Sequence, residues 1–277
     1  IAKLIKIINI YLNPYKFILK KIIRNIIFFK RISKCKKFSK SIVLSSNQKL
    51  ILKKLDIKGY SLLPLDFFCG DEINSLYSYT HNIIKEKEKN ISNILDYKNI
   101  RAVNRGVIYQ SDHIMYKLMT NKKIIKIISK YLGMNPCFRR ADIVLSRNII
   151  ASKKGSQLWH IDKTDIKIVK LFIYLTDVLT DDYGPFTLSE KDLESSKLFT
   201  KNALTLGHVK DKKLKKMNID LEPLSILGPK GTAFLVDTEQ TPHKGSIKLK
   251  NDRIVFVATY TTHSHWSKME SNINFKY

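Results

Sequence analysis

After Pro136 the apolar residues change period, and this switch constrains the fold more than any other feature of the 277-residue chain. Upstream, Ile124, Ile125, Ile128, Tyr131 and Leu132 recur at helical spacing, with Thr120 placed to cap the segment and Gly133 to stop it in a left-handed turn. A second helix is expected from an Asp66 N-cap to about Lys89. Downstream the apolar runs are short: Ala141–Leu145, Gln157–Asp162, Ile166–Val178, Pro185–Leu188, Leu224–Leu227, Thr232–Val236 and Arg253–Thr261. Gly155, Asp181–Pro185, Gly228–Gly231 and Asn251-Asp252 punctuate them as turns. Many short strands with few helices between them argue against a parallel α/β sheet and for a sandwich or barrel. The main domain is therefore expected over 47–277, with helices in 47–135 and a β core in 136–262. Residues 190–221, polar and Lys-rich, read as an insertion or lid.

One of the expected strands carries Trp159-His-Ile-Asp162. In extended chain His160 and Asp162 project to the same side, because side chains alternate faces. His243, in Thr-Pro-His-Lys-Gly, offers a second imidazole. Two His and one carboxylate on one face of a metal, with open positions opposite, is the ligand set of non-haem Fe(II) oxygenases. Arg253 lies ten residues after His243, at the start of the last strand. A turn at Lys250–Asp252 would run that strand back beside the one bearing His243 and bring the guanidinium into the same cavity. There its planar fork suits a carboxylate. Lys170 and Tyr174 share a strand face and could point into the barrel mouth, whereas Trp159 points away from His160 and packs outward. Arg101, Arg105 and Tyr109 stand in a segment, 91–119, without a clear pattern; they could reach an anionic substrate or simply face solvent. His263 and His265 repeat the chelating spacing without a carboxylate and, with His81, His113 and His208, read as bystanders. There is no nucleophile elbow, phosphate-binding Gly loop or zinc-type Cys/His pairing.

The formal charge of +26 raises the question of a polyanionic partner, and its distribution answers part of it. Residues 1–58 hold 16 Lys/Arg against a single acid, Asp56, whereas 59–277 hold 34 against 23. The excess is concentrated in a leading arm, 1–46, and the whole chain is rich in Ile, Lys and Asn, so the charge does not by itself call for nucleic acid. Lys and Arg break every apolar run of the arm short of a membrane span. Its basic residues and Ile/Phe stripe suit either a peripheral contact with an anionic membrane or packing on the main domain or a second subunit. Three widely separated cysteines, Cys35, Cys69 and Cys137, form no C-x-x-C pair and point to a reducing, cytoplasmic setting. The chain opens on Ile1 rather than Met, as a fragment of a longer chain would.

In order, Trp159-His-Ile-Asp162, Lys170-Leu-Phe-Ile-Tyr-Leu-Thr-Asp-Val178, Gly184-Pro-Phe186, Gly228-Pro-Lys-Gly-Thr-Ala-Phe-Leu-Val-Asp237, Pro242-His-Lys-Gly245 and Arg253-Ile-Val-Phe256 resemble the phytanoyl-CoA dioxygenase family of Fe(II)- and 2-oxoglutarate-dependent oxygenases. The resemblance spans roughly residues 50–262 and is dense from 155 to 260. It implies a mainly β fold with N-terminal helices, a double-stranded β-helix of the jelly-roll, cupin-like kind. It also implies iron held by His160, Asp162 and His243, and Arg253 holding the far carboxylate of 2-oxoglutarate, with Lys170 and Tyr174 as further candidates to contact that co-substrate. The implied reaction consumes O2 and 2-oxoglutarate, releases succinate and CO2, and hydroxylates a C–H of a small or carrier-bound metabolite. In related halogenases a small residue replaces the carboxylate, so Asp162 implies hydroxylation or an allied oxidation. The chain departs from the family where Thr187–Leu193 replaces a Pro-Gly-Ser-His turn, and where Gly245 and Val255 replace hydroxyl residues near His243 and Arg253. Two alternatives stand beside this reading. One is a nucleic-acid-directed oxygenase of the same class; the other is a non-enzymatic membrane- or polyanion-binding protein on a degenerate oxygenase scaffold.

Overall fold

A computed structural model of the chain describes residues 37, 39–68, 70–89, 99–102, 112–146, 155–165, 167–245 and 251–262. Most of the basic arm, with Arg105, Tyr109, His263 and His265, lies outside the described residues.

The first long helix, α1 (Ser46–Lys58), starts in a capping box. The Gln48 amide donates to the Ser45 hydroxyl at 3.3 Å, and the Ser45 amide donates to the Gln48 side chain at 2.9 Å. The Gln48 side-chain amide then donates to the Lys123 carbonyl at 2.9 Å, docking α1 on a later helix. Next come β1 (Tyr60–Leu62), α2 (Gly70–Lys89), β2 (Asn99–Ala102), α3 (Ile114–Met119) and α4 (Lys122–Leu132). α4 ends at Gly133 in the left-handed conformation, as the sequence predicts, but Asn121 rather than Thr120 is its N-cap. The Asp66 expectation is shifted too. Pro64 starts a 3-10 turn over Leu65–Phe67, and the α-helix begins only at Gly70.

The β core comprises β3 (Cys137–Ser146), β4 (Ile168–Tyr174), β5 (Phe186–Leu188), β6 (Leu224–Ile226), β7 (Ala233–Asp237), β8 (His243–Lys244) and β9 (Arg253–Thr261). They form a six-stranded sheet, β1-β7-β4-β9-β3-β2, and a three-stranded sheet, β6-β5-β8, in the double-stranded β-helix arrangement. Among the described residues these strands all pair antiparallel. Alternation sorts each central strand of the large sheet between two cores. Leu171, Ile173, Leu235, Phe256 and Ala258 face the helices, against Ile51, Leu55, Leu76, Ile124 and Ile128. Phe172, Tyr174, Phe234 and Val255 face the small sheet, against Phe186, Leu188 and Ile226. With both faces covered these strands read as nearly continuous apolar runs, and Lys170 is the exception in β4.

The insertion between β5 and β6 folds into α5 (Glu194–Leu206) and α6 (Asp211–Lys216). Phe199, Val209, Leu214, Ile219 and Leu221 pack on Trp159 and Ile161, so the insertion buttresses the His-x-Asp segment from behind. Trp159 is thus outer packing, as its alternation predicts.

One sequence expectation needs correcting. β9 does not run beside the strand that carries His243. It lies between β3 and β4 in the large sheet, while β8 pairs with β5 in the small one. A short turn fixes only how soon a chain reverses, and here the chain changes sheets between β8 and β9. Among the described residues no helix is long and apolar enough to cross a membrane.

Gly59 joins α1 to the turn that delivers His243. Its φ is +81°, and a Cβ there would lie 2.0 Å from the Thr241 hydroxyl. The Gly59 carbonyl also accepts the Asp237 amide at 2.8 Å. Gly59→Ala is therefore expected to destabilise the protein by about 1–3 kcal/mol, read as a lower denaturant midpoint with an unchanged slope.

Candidate metal centre

Backbone pairing brings the two candidate histidines together. His160 donates its amide to the His243 carbonyl at 3.0 Å, and His243 returns the bond at 2.9 Å. Directly opposed residues of an antiparallel pair project to the same face. The two imidazole centroids are consequently 4.2 Å apart. Asp162, two residues along the same extended segment, donates its amide to the Thr238 carbonyl at 2.7 Å. Ligating atoms of His160, Asp162 and His243 all lie within 4.8 Å of one another, a set able to hold a metal ion.

The ring orientations are fixed in the same way on both histidines. Nδ1 of His160 is 2.8 Å from the Leu158 carbonyl, and Nδ1 of His243 is 2.9 Å from the Thr241 carbonyl. A carbonyl accepts, so each Nδ1 carries the proton and each Nε2 keeps its lone pair for a metal. Burial lowers the basicity of both rings, and for His243 the neighbouring His160 adds to this, bringing it to about 3 despite the opposing Asp162 charge. At neutral pH both rings are neutral donors. Burial alone would raise the Asp162 carboxyl, but the Lys170 ammonium, 2.7 Å away, together with His243, holds it well below the usual carboxylate range.

The metal-ligand cluster opens on a cleft of about 140 Å³ between the sheets. Lys170, Phe172 and Tyr174 of β4, Arg253, Val255 and Val257 of β9, and Arg140, Asp142 and Val144 of β3 supply its floor. Lys170 and Tyr174 therefore both face inward, the first at the Asp162 end. Tyr174 donates to the Ile226 carbonyl at 2.8 Å and accepts the Phe186 amide at 3.0 Å. Burial pushes its hydroxyl up to about 12, against the opposing Arg253 charge, so it stays a neutral donor.

Arg253 also enters the cleft, reached from the opposite sheet. Its guanidinium donates to the Gly184 carbonyl and, at 3.3 Å, to the Ser146 hydroxyl. Its Nε is buried with no partner, and among the described residues no carboxylate pairs with it. Burial pulls its basicity down, with Tyr174 opposing. A half-buried cation without a carboxylate partner among the described residues carries a desolvation cost, which an anionic ligand would offset.

Two features near the centre escaped the sequence. His208, read as a bystander, lies with its ring 4.6 Å from that of His160, brought there by the Trp159–Val209 backbone bridge. Arg140 and Asp142 form a 2.7 Å ion pair on the cleft face of β3. Charged residues alternating inside an otherwise apolar strand were the available signal. His113, by contrast, accepts the Met115 amide at 3.2 Å as an N-cap, away from the site.

Solved structures with this fold agree with the architecture. EctD from S. alaskensis with bound Fe superposes with a TM-score of 0.56 at 16% identity, over 81% of this chain and 79% of that one. AviO1 from Streptomyces viridochromogenes Tue57 gives 0.54 at 12% identity, over 81% and 99%. HygX from Streptomyces hygroscopicus, with nickel and 2-oxoglutarate bound, gives 0.53 at 12% identity, over 80% and 88%. At such identities the likeness establishes the fold. No protein-family model matches the sequence, and no curated protein matches it.

The neutral histidines set a pH dependence for the metal-free protein. In the unfolded chain a histidine titrates near 6.5. Below that pH the unfolded chain binds protons that the folded site refuses, so stability is complete above about 6.5 and is lost as pH falls toward about 3 for His243. The slope approaches about 1.4 kcal/mol per pH unit for each such histidine. Thermal melts between pH 6.5 and 4.5 are expected to fall more steeply for wild type than for His243→Gln.

Proposed function

We propose that the chain is an Fe(II)- and 2-oxoglutarate-dependent oxygenase of the phytanoyl-CoA dioxygenase type. It hydroxylates a C–H of a small or carrier-bound metabolite, with release of succinate and CO2. One observation carries this reading. His160 and His243 of the metal-ligand cluster line one cleft with Arg253, which has no carboxylate partner among the described residues, so a metal ligand set and a candidate carboxylate receptor face the same space.

The donor set fits a divalent iron: two neutral imidazole nitrogens, one carboxylate, and open positions on the cleft side. When bound, the iron with 2-oxoglutarate and O2 supplies the oxidant for the C–H bond. The protein's own residues hold and orient. His160 and His243 present Nε2 because the Leu158 and Thr241 carbonyls hold their Nδ1 protons. Arg253 takes the far carboxylate of 2-oxoglutarate, with the neutral Tyr174 beside it. Lys170 keeps Asp162 ionised and aimed. Phe172, Phe186 and Val255 make the remaining wall apolar and limit water around the reacting centre.

The non-enzymatic membrane- or polyanion-binding alternative draws on the basic arm, most of which lies outside the described residues. A peripheral membrane role for that arm is kept as a separate proposal, tested by co-sedimentation with anionic vesicles with and without residues 1–46. The oxygenase reading is tested by succinate formation from 2-oxoglutarate by iron-loaded protein without added substrate. Wild type is expected to turn over slowly. His243→Ala is expected to lose turnover and iron together. Arg253→Ala is expected to keep iron but need at least tenfold more 2-oxoglutarate, equivalent to about 1.4 kcal/mol of lost binding. Absence of iron and 2-oxoglutarate binding by wild type in calorimetry would overturn the reading.

A further inference from the structure

The cleft has a second cationic end. Arg140, Thr259 and Lys170 stand side by side across three adjacent strands, since Thr259 of β9 is in register with Arg140 of β3 on one side and Lys170 of β4 on the other. Arg253 is six residues from Thr259 along the same strand, so the row lies at the opposite end of the cleft. The Thr259 hydroxyl is buried with no hydrogen-bond partner among the described residues, in a residue only 5% exposed. A buried hydroxyl between two cations is a donor waiting for an acceptor.

Arg140 reaches this face through an irregularity of β3. Phe138 is in register with Tyr260 and packs in the helix-side core, and two residues later Arg140 would share that face in a regular strand. The register instead shifts between Phe138 and Arg140, a bulge that turns Arg140 toward the cleft. Asp142 engages its Nε at 2.7 Å, which leaves the terminal nitrogens of a side chain 40% exposed for a ligand.

The charge balance says what that ligand is. Among the described residues at the cleft, Arg253, Lys170 and Arg140 face Asp162 and Asp142, three cations against two carboxylates. A divalent iron and a dianionic 2-oxoglutarate add no net charge, so a loaded site keeps one unbalanced positive charge. Asp162 would then be shared between the metal and Lys170, and the remaining N–H donors of the Lys170 ammonium would present that charge to a second carboxylate. Val257 and Phe172, the next pair along the floor, are apolar.

We propose, resting on the oxygenase reading above, that the substrate is a monoanionic carboxylic acid whose carboxylate is held by the Arg140–Thr259–Lys170 row, remote from the 2-oxoglutarate site at Arg253. Its apolar body lies over Val257 and Phe172, toward His160 and His243. Arg140 determines specificity for the acid.

The test uses butyrate as probe and butyramide as its neutral isostere. The full chain is loaded with Mn(II), with Zn(II) as the diamagnetic blank, and with saturating 2-oxoglutarate whose binding is first measured by calorimetry. Proton relaxation of the probe then reports its proximity to the metal. Butyrate is expected to show at least fivefold greater metal-dependent relaxation than butyramide, persisting as 2-oxoglutarate is raised. Arg140→Met is expected to abolish the difference, and Arg140→Lys, which keeps the ion pair with Asp142, to retain part of it. Metal affinity measured in each variant reports a folded site. Equal relaxation by the two probes, displacement of butyrate by 2-oxoglutarate, or an Arg140→Met variant that relaxes butyrate like wild type would overturn the proposal while leaving the oxygenase reading intact. Failure of wild type to bind 2-oxoglutarate at all would overturn both, and is seen before any butyrate is added.

Discussion

Two backbone hydrogen bonds, exchanged between His160 and His243, hold the candidate centre together. They join residues 83 positions apart in the chain and make the two imidazoles neighbours without any contribution from the rings themselves. Everything around them secures that pairing. Asp237 accepts the Tyr131 hydroxyl and the amides of Glu239 and Gln240, bracing the turn before Pro242. Ser189 donates its amide to the Pro242 carbonyl at 2.9 Å, tying the next residue to the β5 edge. On the other side, α5 and α6 clamp Trp159 and Ile161, and Lys244 lies 4.4 Å over the Trp159 ring. A metal would complete a frame that the main chain has already aligned, which limits the reorganisation cost of binding.

The electrostatics follow from the same frame. Burial alone would raise the Asp162 carboxyl, yet a lysine from the opposite sheet, together with His243, holds it well below the usual carboxylate range, so a side-chain contact across the sandwich maintains the charge that a metal would need. Asp237 is the counter-example. It is more deeply buried, and although a phenol, the Lys191 charge and two main-chain amides oppose, desolvation wins, raising its carboxyl. One acid keeps the charge a metal ligand would need, and the other fastens a turn. Arg253 stands between these cases, satisfied on two nitrogens by neutral acceptors and on the third by nothing.

Much of this was readable from local pattern, and the misses share a cause. The stop of α4 at Gly133 and the span of β9 follow from residues adjacent in sequence. His160 and Asp162 were legible because their spacing alone puts them on one face, and Lys170 with Tyr174 by the same rule. The sheet to which β9 belongs was not, because strand partners are chosen by long-range packing. Pro64 delayed α2 by imposing a 3-10 turn on a segment that Asp66 would otherwise have capped. His208 arrived beside His160 through a loop whose course no periodicity encodes. Arg140 was hidden by a register shift, since alternation counted from Phe138 assigns it to the wrong side.

That shift gives the chain an unusual sensitivity to length. Most of the polarity of a β cleft is set by which residues are present; here part of it is set by how many precede them. The extra residue is Arg139: in a regular strand of the same length, alternation from Phe138 would turn the Arg140 guanidinium from the open cleft to the helix-covered face, where Tyr260 and its apolar neighbours stand. Where the Arg140 side chain points is thus written partly in the arithmetic of the strand.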